Sequence, residues 1–592
     1  MVALGWFPNS PRPASGRAYV SQDASLRSQS RLGLDALLLV AVAVLFYGLI
    51  RLSYQIAAPI EDIATPATLA TDPIHLPYYA ARSLLRMFAA LAASLGFTLI
   101  YATAAARSRR AEKVLIPLLD ILQSVPVLGF LSVTLSLWLW LFPGSEIGVE
   151  LASIFAIFTA QVWNMTFAFY QSLVTLPREL DEASRLLRLT KWQRFWRLDV
   201  PHGVIPLVWN GMMSFGGGWF FLIASEVIAV NNQQYALPGI GSYVAAASTG
   251  QEIGRLLLAI GVMIVMVIGV NFLFWRPLTA WSERFRMGDS MGVTQQRSVV
   301  LNVLRRSAIP GALAQVLRPV GVGLDRFTRP FGLAESPLAG NTARRRIGDV
   351  AFGILVTAAV GWGLVRMLTY IDGGVGLAEF GTAAWLGMLT FSRVVVLLIV
   401  STLIWVPIGV WIGLNPRVTQ VAQPIVQVLA SFPANFLFPF VTMALIATGI
   451  SLNVGGILLM ALGAQWYILF NVIAGAAAIP NDLCEVATNL RLTRNQRWRS
   501  LYGPAIFSSW VTGGITAAGG AWNASIVAEV VSYGDQRLTA RGLGAYITEA
   551  TAQGDFARTL IGVVVMSIFV VGLNRVFWKP LYRLAERRFA LS

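Results

Sequence analysis

Charge, cysteine, histidine and lysine are all scarce in this 592-residue sequence, and each scarcity closes off a class of function. Charged residues make up 12% of the chain, against about a quarter in an ordinary soluble domain. Cys484 is the only cysteine, so no intrachain disulfide can form. His75 and His202 are the only histidines, which argues against a histidine metal centre. Lysine occurs only at positions 113, 191 and 579, and none follows a glycine. A Gly-Lys-Ser/Thr phosphate loop is therefore impossible, and the chain cannot hydrolyse ATP by that route. No catalytic triad, carboxylate dyad or metal-spaced cluster stands out.

What is abundant is apolar surface. Hydrophobic residues reach 56% and the mean hydropathy is +0.65. Soluble cores cannot hide that much, so the composition predicts an all-α polytopic membrane protein. The net charge of +16 then belongs to basic loops on one face of the membrane rather than to nucleic-acid binding. About twelve spans are expected. The first six fall near 33–53, 84–105, 125–142, 150–172, 206–230 and 253–275. The second six fall near 348–370, 394–414, 430–449, 453–475, 507–531 and 557–578. Arginines and Lys113 after spans 2, 4 and 6, with Glu61, Asp62 and Asp72 between spans 1 and 2, place the N-terminus inside. Both termini are then cytoplasmic in a multi-pass protein of the plasma (inner) membrane. The expected division is a cytoplasmic tail over 1–32, a first unit over 33–283, an arginine-rich cytoplasmic linker over 284–346 and a second unit over 347–592.

The second unit repeats the first. At a constant offset, Pro177, Glu182 and Pro201 fall on Pro480, Glu485 and Pro504. Gly216, Gly217, Trp219 and Glu226 fall on Gly519, Gly520, Trp522 and Glu529. Six spans separate equivalent points, and an even number leaves the copies in the same orientation. An axis along the membrane normal relates them, and the path should lie between them.

The loop after span 4 reads LPRELDEASRLLRLTKWQRFWRLDVP at 176–201, and its partner reads IPNDLCEVATNLRLTRNQRWRSLYGP at 479–504. Each is an amphipathic, charged helix followed by a proline that opens the next span. Such a segment is either a surface connector or a docking helix for a soluble partner. Near-duplication, including LRLT at 187–190 and RLT at 491–493, favours docking, because a connector need only be amphipathic.

These loops resemble the coupling loop of ABC importer permeases, whose pattern opens with Glu-Ala-Ala, has a glycine four residues later and ends in Leu-Pro. Glu182, Ala183, Ser184, Leu198, Val200 and Pro201 match in the first copy, and Glu485, Ala487, Leu501 and Pro504 in the second. Arg188 and Arg491 stand where the family has glycine. A glycine would permit a turn with positive φ, so arginine predicts a continuous helix or a different bend. GGGWFFLIASEV at 216–227 and GGAWNASIVAEV at 519–530 resemble nitrate/sulfonate/bicarbonate-type permeases, as do GIGSY at 239–243 and GLGAY at 542–546. The resemblance implies two fused permease units with the type I importer fold and one translocation path for a small solute, an anion by the branch it resembles. It also implies two copies of a cytoplasmic ATPase, which would carry the ATP and magnesium, and an external solute-binding protein. No cofactor is expected on this chain. The implied ATPase-coupling residues are Glu179, Glu182, Ala183, Arg188, Asp482, Glu485, Ala487 and Arg491.

Gly216, Gly217, Trp219, Glu226, Gly519, Gly520, Trp522 and Glu529 are candidates for a path or gate. The glycines could line a pore or let helices approach. Glu226 and Glu529 lie about 30 Å from the cytoplasmic ends of their spans, at 1.5 Å per residue. An ionisable group there is a functional candidate by default, but a carboxylate repels anions, which favours a gate or a structural hydrogen bond. Two rival functions are a secondary transporter of six plus six spans, not driven by ATP, and a membrane scaffold that transports nothing.

Overall fold

The fold is that of a computed structural model, which describes residues 68–123, 125, 127–230, 233–285, 299–306, 315, 319, 321–328 and 342–588. The expected tail over 1–32, the expected span 33–53 and most of the linker lie outside the described residues.

The first repeat opens with α1 (Leu76–Arg107), α2 (Arg109–Leu122), α3 (Leu131–Leu141) and α4 (Glu146–Val174). The short α5 (Arg178–Leu186) precedes α6 (Val200–Glu226), the hairpin β1 (Val227–Val230) and β2 (Gln233–Ala236), α7 (Ile240–Thr249) and α8 (Ile253–Val270). After α9 (Thr342–Gly374) the same order returns. It runs α10 (Glu379–Gly413), α11 (Pro416–Ser431), α12 (Phe438–Thr448), α13 (Leu452–Ala477), α14 (Asn481–Asn489) and α15 (Gly503–Ala528). Then come β3 (Val530–Tyr533), β4 (Gln536–Thr539), α16 (Leu543–Gln553) and α17 (Phe556–Leu573). Both hairpins are antiparallel, with Val227 opposite Ala236 and Val530 opposite Thr539.

Among the described residues, eight helices are long and apolar enough to cross a membrane, or nine if one bent pair counts as a single span. That pair corrects the expected span at 430–449. The chain over Pro416–Ser431 and Ala434–Thr448 bends by 81°. Pro433 stands at the bend and denies the helix an N–H. In the first repeat α3 has 11 residues, about 16 Å at 1.5 Å per residue, roughly half a bilayer core. α3 alone is thus too short to be the span expected at 125–142, and neither it nor α2 is among the helices long and apolar enough to cross. α15 has the length, but Ser508, Ser509, Thr512, Thr516 and paired glycines make it less apolar, and its small faces pack inside the fold.

Four turns among the described residues widen into π-helix: Phe195–Asp199, Asn271–Trp275, Trp498–Tyr502 and Asn574–Trp578. Each ends two residues before a proline: 201, 277, 504 or 580. Proline has no N–H for the carbonyl four residues back and its ring crowds that carbonyl, so the ladder slips by one residue.

In each repeat one helix forms the spine. α4 packs along α1 and α6, and α13 along α10 and α15. Small residues bring the backbones together, because lipid is as apolar as leucine and close packing must supply the attraction. At Gly413 an added Cβ would sit 2.7 Å from the Ile473 carbonyl and 2.6 Å from Ala476 Cβ, whereas at Gly96 nothing lies within 4 Å. Gly413→Ala should therefore destabilise the protein by about 1–3 kcal/mol through overpacking. Gly96→Ala should be neutral or stabilise it by up to about 1 kcal/mol. Thermal unfolding of the detergent-purified chain measures both.

Candidate functional site

Three places carry the sequence-identified residues. The first is the duplicated loop. α5 is capped at its C-terminus by a 6→1 bond from Leu189 N to the Ser184 carbonyl, and α14 by the same bond from Leu492 N to the Ala487 carbonyl. This closure needs one residue in the left-handed region, usually glycine. Here Arg188 (φ 48°) and Arg491 (φ 49°) occupy it. The expectation of a continuous helix or a different bend is thus corrected: the glycine-type turn survives without glycine. The local strain is of order 1–2 kcal/mol per residue, and both repeats hold it at the same position. Thr190 and Thr493 then start the next turn with matching capping boxes to Gln193 and Gln496.

Glu179, Glu182, Ala183, Arg188, Asp482, Glu485 and Arg491 are all exposed on these loops. Ala487 is buried, as is Ser184 at the same place in the first copy, so this position anchors the loop instead of facing outward. Leu186 (85% exposed), Leu187 (72%) and Leu490 (66%) put bare apolar surface beside the charges. The loops differ in their bracing. Asp181 pairs with Arg185 and Arg194, and Asp199 with Arg107. Cys484, Tyr502 and Leu414 stand at the places of Asp181, Asp199 and Arg107 in the second repeat, which removes those pairs.

The second place is the hairpin end. α6 stops at Glu226, which is fully buried. Gly241 N donates to Glu226 Oε2 at 2.6 Å, Arg86 Nη1 donates to Oε1 at 2.8 Å, and Ser83 Oγ also donates to Oε1. The carboxylate occupies the N-terminus of α7, where free N–H groups and the positive end of the helix dipole meet. A Cβ on Gly239, the residue before α7, would run into that carboxylate. The second repeat rebuilds the arrangement. Glu529 Oε1 accepts from Arg393 Nη1 and Thr390 Oγ1, each at 2.7 Å, and Oε2 accepts from Ala545 N at 3.1 Å.

Around this shared centre the repeats diverge. Arg86 Nε also donates to Glu150 Oε2 at 2.6 Å, and Arg82 bonds both Glu150 and Glu146. In the second repeat Asn453 replaces Glu150, and Arg393 reaches its carbonyl at 3.0 Å and its Oδ1 at 2.9 Å. Leu389 and Gly449 stand for Arg82 and Glu146. Beside this second centre, Tyr546 in the short helix α16 donates to Glu379 Oε1 at 3.0 Å, and burial together with that carboxylate raises its pKa. The arginines were missed in the sequence reading. Their signal was there: Ser/Thr-x-x-Arg inside an apolar stretch at 83–86 and again at 390–393.

The third place is a chamber between the repeats with a free volume of about 50 Å³, lined among others by Gly216, Gly217, Phe221, Phe432, Tyr467 and Gly520. That is room for a water or two. Gly519 does not line it. Trp219 (2% exposed) packs against Phe215 and lines a smaller cavity shared with Gln427, Val428 and Ser431 of the other repeat, whereas Trp522 (1%) packs inside its own repeat against Phe391 and Phe569. Glu226 and Glu529 are likewise held within their own repeats. Of the eight path or gate candidates, three glycines meet at the chamber.

The architecture is thus a multi-pass membrane body of two repeats around a closed seam, with a matched pair of exposed loops at one end: the construction of a transport permease. The sequence profile of the family described as "Binding-protein-dependent transport system inner membrane component" matches residues 87–278 and again 405–590, and the chain belongs to that family. It is a permease of the ABC importer type, not an enzyme. Bicarbonate transport system permease protein CmpB of Synechococcus elongatus is 27% identical over 195 residues, covering 33% of this chain and 67% of the relative. Nitrate import permease protein NrtB of Leptolyngbya laminosa is 25% identical over 213 residues, 36% of this chain and 71% of the relative. Glycine betaine/proline betaine transport system permease protein ProW of Escherichia coli is 23% identical over 225 residues, 38% of this chain and 60% of the relative. Each aligned length is close to that of one repeat.

Removing Arg86 takes a partner from two carboxylates, Glu226 and Glu150, of which Glu150 keeps Arg82, whereas removing Arg393 takes one from Glu529 alone. Breaking a buried pair on one side costs about 3–5 kcal/mol. Arg86→Leu should therefore lower the unfolding temperature more than Arg393→Leu. Arg86→Leu with Glu226→Leu should recover part of the loss, because Arg82 still pairs Glu150. Thermal melts of the purified chain decide the order.

Proposed function

We propose that a single chain supplies both halves of one translocation path and couples it to two ATPase subunits, one on α5 and one on α14. The observation that carries this reading is the duplicated loop. Two loops of diverged sequence keep the same strained cap at Arg188 and Arg491, the same capping boxes and the same outward carboxylates, Glu182 and Glu485. A connector has no reason to hold that geometry twice. Exposed leucines next to fixed charges suit a partner's groove.

In this reading the loop end is cytoplasmic, as are both termini, and the arginine-rich linker lies on the same side. ATP and magnesium sit on the partner, since this chain has no phosphate loop. Closure of the two ATPases would draw α5 and α14 together and open the seam at the hairpin end, where a solute-binding protein would deliver cargo. The cargo is a small anion. The bicarbonate and nitrate permeases support this, at 25–27% identity against 23% for the betaine permease. The 6+6 secondary transporter and the scaffold gain no support.

The loop contact would be the mechanical link between ATP and path. Exposed ion pairs contribute only about 0–1 kcal/mol, whereas truncating a charge paired in a buried interface costs about 2–5 kcal/mol. Glu182→Ala with Glu485→Ala should leave an inserted, folded protein that loses its copurifying ATPase and its ATP-dependent uptake. Each single change should act partially and unequally, because only the first loop is braced by Asp181 and Asp199. Retained copurification and near wild-type uptake in the double variant would reject the assignment.

Stoichiometry gives an independent check. Native mass measurement of the complex should show one permease chain with two ATPase subunits; two permease chains would overturn the fused-pair reading.

A further inference from the structure

Several hydrogen bonds cross the seam between the repeats: Gln427 Nε2 donates to Met212 Sδ at 3.6 Å, and at the hairpin end Gly534 N donates to the Ser248 carbonyl at 3.1 Å and Ser248 Oγ to the Ser532 carbonyl at 3.5 Å. Two more lie at pseudo-equivalent places beside the chamber. On one side the Asn435 amide Nδ2 donates to the Phe220 carbonyl at 3.2 Å. On the other, Val127 N donates to Asn523 Oδ1 at 3.1 Å. Phe220 and Asn523 are the same position in α6 and α15. Val127 and Asn435 lie at the same junction in the two repeats, between α2 and α3 and between α11 and α12. Each junction thus meets the opposite repeat's helix. The second repeat supplies both asparagine side chains and the first supplies only backbone groups, with Leu128 and Phe220 standing where the asparagines would be.

A junction is the natural place for such a bond. Breaking a helix leaves its first N–H groups without intrahelical acceptors, and lipid offers none. Val127 N finds its acceptor across the seam, in Asn523. Both bonds lie beside the chamber, four residues further along α6 than Gly216, whose Cβ position faces Ser431 Oγ at 2.7 Å. They therefore stand between Ser431 and the hairpin end. Asn435 Oδ1 is buried with no partner, so this asparagine holds the seam with half of its amide. The chamber lining is otherwise aromatic, small or hydroxylic, and among the described residues no charged side chain lines it.

We infer that Asn435 and Asn523 are positioning residues of the gate, whose two cross-repeat amide bonds help hold the seam closed beside the chamber, on its hairpin side. This rests on placing the path between the repeats and is independent of how ATPases attach. The donor and acceptor roles are opposite, which makes the assignment specific. Across the seam Asn523 acts as an acceptor, a role that aspartate keeps although it loses the amide's own 3.2 Å bond to the Gly519 carbonyl within α15. Asn435 acts as a donor, a role that aspartate cannot keep.

The test uses the full chain in sealed vesicles, with Cys484→Ser and a single reporter thiol from Ser431→Cys, and a charged, membrane-impermeant thiol reagent applied to each face in turn. From the hairpin face the parent should react slowly. Asn435→Leu, which installs the residue found at this place in the first repeat, combined with Asn523→Ala should react about tenfold faster, as expected when two hydrogen bonds of ordinary net strength no longer favour the closed seam. Asn435→Asp should behave as Asn435→Leu, and Asn523→Asp as the parent. Equal rates for parent and double variant would overturn the inference. Should the double variant fail to insert, Asn523→Ala against Asn523→Asp decides: a faster alanine supports the gate, and equal rates overturn it.

Discussion

A carboxylate cannot sit unpaired where water is excluded, and at Glu226 and Glu529 that rule organises the hairpin end of each repeat. The carboxylate closes three things at once: the C-terminus of a long crossing, the N-terminus of a short helix, and an arginine on a third helix. Glycine at 239 and at 542 lets the helix start come close enough. Burial makes each bond strong and makes loss of any partner costly, so these elements move as a unit. Each of these ties stays within its own repeat, whereas the hydrogen bonds that cross the seam between the repeats involve no charged side chain.

Duplication supplied the symmetry and divergence removed it selectively. The first repeat surrounds Arg86 with three more charges, Arg82, Glu146 and Glu150, while the second reduces the same site to Arg393, Asn453 and Glu529. The loops follow the same trend, with ion pairs bracing the first and none at the corresponding positions of the second. What both copies keep is geometry that residue identity alone does not announce: left-handed arginines, threonine capping boxes, π turns ahead of prolines. Conserving a strained φ twice is expensive for a linker and reasonable for a surface that must fit a partner.

Periodicity and composition made much of the chain legible. Long apolar runs fix where helices cross because a bilayer admits no other open-ended structure. The repeat and the loop followed from residue spacing, since prolines, glycines and glutamates at constant offset reflect shared backbone constraints; the family followed from the resemblance of the loop motif. Spacing failed where a helix bends. The stretch Pro416–Thr448 reads as an apolar span at 430–449, and only the 81° bend beside Pro433 shows that two helices share it. It failed also at Arg188 and Arg491, where residue preference pointed away from a turn that tertiary context holds in place.

The tertiary structure alone decided which candidates share a site. Trp219 and Glu226 lie less than one and about two and a half helical turns beyond the glycines of the chamber on the same helix, yet the tryptophan packs on Phe215 outside the chamber and the carboxylate turns onto α7. Arg86 and Glu226 are 140 residues apart, and Val127 and Asn523 are 396 apart; no local pattern encodes such pairings. The amino-acid sequence by itself determined the class of protein, its duplication and the position of its loops, because those depend on hydrophobicity and short-range backbone chemistry. Which buried charge meets which, and which backbone group at a broken helix finds its partner across the seam, depended on how two folded repeats face each other, and that is a property of packing in three dimensions.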